Sequence, residues 1–166
     1  RAASGLVLMN IATDDELVSV SRCLSEDEIV CISSDAQLLR MRAAQVRPQG
    51  RSAAGMAGMR LRAGSQIVAA AAVSDPSASG VALVTDALNA KWSPLSEYPL
   101  LGRATSGVRA MAMKKADTNV ANAFIGLTPP MIVSLKNKIT AFPWTPSKRD
   151  ASGSPIPFAI KHLVSS

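Results

Sequence analysis

Aromatic and catalytic side chains are scarce. Among 166 residues there are three Phe, two Trp, one Tyr and one His. A His-based triad or general base would therefore rest on His162 alone, close to the C-terminus. Cys23 and Cys31 with one His cannot assemble a zinc ligand set. The two cysteines stand in apolar, strand-like surroundings. Their spacing leaves a disulfide open, but reduced core thiols of a cytoplasmic protein are the preferred reading. No glycine-rich loop leads into Lys-Ser/Thr to cradle a phosphate. Carboxylates do not pair on matching loops, which argues against a carbohydrate-processing enzyme. No run approaches the ~20 apolar residues of a membrane span, and no secretory n- and h-region pattern is present. Arg1 in place of Met is read as the interior of a longer chain. Helical periodicity is missing throughout. These absences point to a non-catalytic, all-β protein that needs no metal or cofactor.

What is abundant is small aliphatic residues and positive charge. Apolar residues make up 48% of the chain, in short runs, and the formal net charge is +6. By segment it runs −1 over residues 1–24, +2 over 25–74, +1 over 75–126 and +4 over 127–166. Such a surplus suits nucleic acid or another anionic surface. A merely solvated lysine-rich surface would look the same in composition.

The organising feature is a signature of Arg, three small residues and Gly. It occurs at Arg1-Ala-Ala-Ser-Gly5, Arg51-Ser-Ala-Ala-Gly55, Arg103-Ala-Thr-Ser-Gly107 and Arg149-Asp-Ala-Ser-Gly153, separated by 50, 52 and 46 residues. Upstream of the last three lie twelve-residue stretches beginning at Ile29, Val81 and Met131 that align without gaps. A Met follows the Gly by four residues three times, at Met9, Met59 and Met111. Periods of this size denote a repeat architecture.

Taken in order, residues 1–24 read as the tail of a blade, with strands over 5–11 and 17–21 around an Ala-Thr-Asp-Asp turn. Residues 25–74 form a full repeat with strands over 28–33, 37–42, 56–62 and 66–73, turned at Ser-Ser-Asp-Ala and at Arg-Ala-Gly64-Ser. Residues 75–126 repeat the layout after a short linker. Residues 127–166 form a shortened C-terminal blade, because Pro129, Pro130, Pro143, Pro146, Pro155 and Pro157 withhold ladder donors. Four short strands per ~50-residue repeat describe a propeller-like fold of about three and a third repeats.

One cation and a small-residue loop per repeat would recur at equivalent rim positions, suited to phosphate contacts by Arg1, Arg51, Arg103 and Arg149. The plainer alternative is that Arg caps a turn that Gly makes. Arg40 and Arg42, Arg60 and Arg62, and Lys136 and Lys138 stand two apart, which puts each pair on one strand face. Together with Arg109 and Lys148 they would trace a curved basic track on which bent duplex DNA is read through its backbone. They could equally decorate outer strands. Trp92 and Trp144 align with Arg40 and Phe142, which favours packing over base stacking. Tyr98 lies in Ser96-Glu-Tyr-Pro99, a loop position filled by Gln45-Val-Arg-Pro48 one repeat earlier, and a packing role is the preferred reading.

The stretches from Glu28-Ile-Val-Cys-Ile-Ser through Gly50-Arg-Ser-Ala-Ala-Gly-Met-Ala-Gly-Met-Arg-Leu-Arg-Ala-Gly64, and Pro94-Leu-Ser-Glu-Tyr-Pro-Leu-Leu-Gly-Arg-Ala-Thr-Ser-Gly-Val108, resemble blades of the C-terminal domain of bacterial type IIA topoisomerase A subunits, of the gyrase and topoisomerase IV types. The resemblance covers essentially all of residues 1–164. It implies a β-pinwheel, a propeller variant whose blades exchange strands and whose basic rim wraps or bends duplex DNA. It implies further that the cleaving tyrosine lies elsewhere in the A subunit, that the ATPase B subunit is a partner through that subunit, and that the protein is bacterial, cytoplasmic and nucleoid-associated. Self-association of this chain would be one way to complete a disc. The Gln-Arg-Arg-Gly-Gly-Lys-Gly box of gyrase A subunits has no match here. Gly102-Arg-Ala-Thr-Ser-Gly-Val108 comes nearest, keeping the Arg and the last Gly. The glycine-aspartate that often follows the third strand reads Gly64-Ser65. A protein-interaction module with degenerate DNA boxes is the competing expectation.

Overall fold

A computed structural model describes residues 5–166. Arg1, assigned to the rim above, lies outside them. The described residues hold eleven strands and two single-turn 3-10 segments, at Ala43–Gln45 and Leu95–Glu97. The strands are β1 (Glu28–Ser33), β2 (Gln37–Arg42), β3 (Ile67–Val73), β4 (Gly80–Thr85), β5 (Asn89–Pro94), β6 (Val108–Arg109), β7 (Val120–Gly126), β8 (Met131–Ser134), β9 (Ile139–Thr140), β10 (Ser154–Pro155) and β11 (Ile160–Val164). Among the described residues no helix is long and apolar enough to cross a membrane.

Three antiparallel sheets result, ordered β3-β1-β2-β6, β10-β5-β4-β7 and β11-β8-β9. In the first two, three strands come from one repeat and the outermost is donated by the next. β6 pairs Val108 with Leu38 and Arg109 with Gln37. One repeat later β10 pairs Ser154 with Ala90 and Pro155 with Asn89. The hairpins repeat in register too, with Glu28 opposite Arg42 and Gly80 opposite Pro94. Even the irregularities correspond, one at Ile32/Ser33 and one at Val84/Thr85. The third sheet has no donated strand, and its β8, β9 and the donated β10 are short, as its prolines require.

Glycine makes the donation sterically possible. A Cβ on Gly107 would lie 2.2 Å from the Leu38 carbonyl oxygen. One on Gly153 would lie 2.8 Å from that of Ala90. Gly5 and Gly55 hold the same place in their repeats and have nothing within 4 Å. Their repeats find no acceptor strand among the described residues. This corrects three expected strands: residues 5–11, 17–21 and 56–62 form no ladder. An extended segment counts as a strand only when a neighbour takes its backbone hydrogen bonds. The turns around those segments do form, with Asp15 N–H donating to Ala12 and Ser65 N–H to Arg62.

The first two sheets share one core of Val30, Ile32, Leu38, Val81, Leu83, Leu95, Tyr98, Met111 and Val120. The second and third share Val84, Ala90, Ile132 and Ile156, with Phe142 and Trp144 packed alongside. The two aromatic rings meet edge to face at 4.9 Å. Trp92 is buried, and the Trp144 indole N–H donates to the Pro130 carbonyl. Both tryptophans therefore pack. Cys31 is buried against Leu39 and Met41 on the other face of the first sheet. Cys23, expected in a core, is exposed, because its segment has no sheet to join, and both thiols are free.

Candidate nucleic-acid interface

The third and fourth signatures run along the outer edge of the preceding blade. Leu101 N–H donates to the Arg40 carbonyl before the third signature, and Ser147 N–H to the Trp92 carbonyl before the fourth. The loops themselves are tight. Ser52 and Gly55 have φ of 64° and 86°, and Ala104 and Gly107 have 62° and 72°. In these two loops the residue after Arg is a small one held in the left-handed region, where a β-branched side chain would be strained; in the fourth, neither Asp150 nor Gly153 has positive φ.

Neighbouring signatures are joined by one hydrogen bond repeated three times. Asn10 N–H donates to Ala53 O (3.1 Å), Arg60 N–H to Thr105 O (2.9 Å) and Ala112 N–H to Ala151 O (3.1 Å). Each donor stands nine residues past one signature's arginine, and each acceptor two past the next. The loops are thereby strung edge to edge along the rim. The linked loops carry Arg51, Arg103 and Arg149, with Arg60 at one of the donor positions and Lys148 next to Arg149.

The other candidates fall elsewhere. Arg109 lies opposite Gln37, beside the β1–β2 turn, and Lys136 and Lys138 sit on the β8–β9 turn. The expected strand placement of the two lysines is corrected: that turn separates β8 from β9. Arg62 is likewise outside any strand, and its guanidinium approaches Asp35 of the β1–β2 turn at 3.4 Å. Lys114 reaches Asn89 at 2.9 Å and Lys161 reaches Asn137 at 3.1 Å. A cation eleven or twelve residues past each of the last three signature arginines thus holds its own blade's hairpin end. This series was missed in the sequence, although the nearly constant offset carries it.

Arg40 is tied up. Its side chain is 16% exposed, its Nε and Nη2 are paired with Glu28, and Nη1 donates to the carbonyls of Leu95 and Tyr98. It fastens two repeats together and has little left to offer a ligand. Arg42, on the same strand, is exposed and forms neither ion pair nor side-chain hydrogen bond among the described residues, as is true of Arg51, Arg60, Arg109, Lys136, Lys138 and Lys148. Arg103 is intermediate: its Nη1 donates to Ala57 O at 2.6 Å and its backbone N–H to Gln45 Oε1.

Tyr98 is 1% exposed, its hydroxyl donates to Ala110 O, and burial pushes its pKa up to about 12. It is a packing residue. His162 is exposed on β11. No cluster of His, Cys, Asp or Glu suited to a metal exists among the described residues.

Radial four-stranded sheets, strand donation to the preceding blade and a rim of repeated loops define a β-propeller of the pinwheel type. Residues 1–23, 27–74 and 81–121 match the family described as DNA gyrase C-terminal domain, beta-propeller. The chain belongs to that family. Over 117 residues it is 31% identical to the DNA gyrase A chain of Staphylococcus epidermidis, covering 70% of this chain and 13% of that protein. Its identity to the DNA gyrase A chain of Staphylococcus aureus (strain MRSA252) is 29% over the same length. Among solved structures, the C-terminal domain of DNA topoisomerase IV superposes with a TM-score of 0.82 at 21% identity, over 95% of this chain and 51% of that one. The DNA gyrase A C-terminal domain gives 0.78 at 19%, over 96% and 58%. The chain therefore spans about one eighth of the curated relatives and about half of the solved domains.

Proposed function

We propose that this chain is a non-catalytic DNA-binding part of a bacterial type IIA topoisomerase A subunit, in which a basic rim bends duplex DNA through phosphate contacts. The observation that carries it is the thrice-repeated hydrogen bond that aligns consecutive signature loops. Loops tied in series in this way support a row of cations along an edge, which suits backbone-only recognition of bent DNA. Arg51, Arg60, Arg103, Lys148 and Arg149 form the contact row. Arg42, Arg109, Lys136 and Lys138 supply a weaker surrounding field, and Arg40 and Arg62 serve the fold. Arg1, at the head of the first signature, belongs to the same row by its repeat position. The whole chain is one partial pinwheel domain, with repeats dividing near residues 24, 74 and 126. The cleaving tyrosine belongs to another part of the subunit, the ATPase B subunit is met through that subunit, and the working compartment is the cytoplasm.

Replacing Arg51, Arg103 and Arg149 by Ala together tests the assignment. Removing one phosphate neutralisation should reduce the slope of log K against log salt by about 0.9. The triple variant should stay folded while its slope falls by about two to three. An unchanged slope would remove these arginines from the interface.

A further inference from the structure

Lys91 is the most deeply buried cation in the described structure. It sits on β5 at 3% exposure and forms no ion pair among the described residues. Its ammonium donates to the Ala110 carbonyl at 2.5 Å and to the Arg149 carbonyl. Burying a charge without a counter-ion is costly, and it is tolerated where the hydrogen bonds made are charge-assisted.

The rest of the fourth signature is pinned to the same strand on either side of that contact. Ser147 donates to the Trp92 carbonyl through both its N–H and its hydroxyl. Gly153 lies against Ala90, and Ser154 is paired with Ala90. Lys91 fills the middle of this seam, under the arginine itself.

One repeat earlier the equivalent position is Leu39, which packs in a core and cannot donate. There the loop is held differently, by Gln45 and by the Arg103 guanidinium on Ala57. Arg103 thus helps to hold its own loop. Arg149 makes no side-chain hydrogen bond among the described residues, its loop being held from below.

We infer that Lys91 is a positioning residue for the rim: it anchors the fourth signature loop to β5 and so leaves the Arg149 guanidinium free to take a DNA phosphate. This rests on the DNA-binding reading above. The groups facing Lys91 are Asp150 and Arg149 of the loop and Glu97 of the 3-10 segment that follows β5. Burial outweighs them and brings its pKa down to about 8.

The test is a salt series of anisotropy-measured binding to a ~40 bp duplex, using the full chain at pH 7. R149A should reduce the slope by about 0.9. K91M should reduce it as much, and K91M/R149A no further than either. R103A should have the same effect with or without K91M. A K91M slope equal to wild type, or an additive double variant, would overturn the inference while leaving DNA binding intact. No wild-type affinity at all would instead overturn the DNA reading. Should K91M not fold, the share due to Arg149, wild type minus R149A, is measured at pH 7 and pH 9.5. It should shrink as Lys91 loses its charge, and a constant share would contradict the role.

Discussion

Gly107 and Gly55 hold the same place in consecutive repeats, and comparing them separates two costs of a side chain. Both have positive φ, but only Gly107 is pressed against a neighbouring backbone. G55A should destabilise by about 1 kcal/mol, the cost of the left-handed conformation alone. G107A adds a clash with the Leu38 carbonyl and should cost at least about twice as much. Denaturant titration of the two variants checks this, and equal losses would mean that the donated strand is not tightly seated. The buried titratable groups give a pH signature. The Lys91 pKa falls from 10.5 to about 8, so between those values the unfolded chain binds more protons and stability rises with pH. Tyr98 and Cys31 act in the opposite sense. Burial raises both above their ordinary 10.0 and 9.0, so their contributions, present at lower pH, are lost as pH climbs past those values. Stability should rise from pH 8, then turn down between about 9 and 10. In K91M the rising arm should vanish, as read by unfolding free energy at successive pH values.

At the scale of elements, the hairpins β1–β2 and β4–β5 were legible in the sequence nearly residue for residue. Their pairing is local, and Ser34-Asp35-Ala36 turns the first of them. The third strand of each repeat was not. Whether residues 56–62 or 108–109 form a ladder depends on an acceptor that lies a whole repeat away, and spacing within a repeat is silent on that. The basic pairs misled for a related reason. Arg40 and Arg42 look alike at period two, but Glu28 stands across from them on the neighbouring strand and claims Arg40. R40A should therefore cost about 3 kcal/mol by leaving Glu28 unpaired and two repeats unfastened. R42A should stay within about 0.5 kcal/mol of wild type. Paired thermal melts decide between them, and similar losses would contradict the clamp. Residues 5–24, exposed almost throughout, should exchange their amide hydrogens far faster than β1 and β4. Comparable protection would show that they pair after all.

Across the whole molecule, the signature spacing made the repeat legible, because a repeat imposes equivalent geometry on equivalent residues. What it could not disclose was the division of labour among the cations. Arg40 fastens two repeats, Arg62, Lys114 and Lys161 hold turns and Lys91 and Arg103 hold loops, each through partners remote in sequence, while Arg42, Arg51, Arg60, Arg109, Lys136, Lys138 and Lys148 are left to face solvent. The DNA-binding reading rests on that remainder. The most direct measurement is wild-type affinity for ~40 bp duplexes of unrelated sequence across a salt series. The slope of log K should be worth about three to five phosphates, at about 0.9 each, and be the same for every sequence. A slope near zero, or strong preference for one sequence at constant salt, would contradict a rim that reads the backbone.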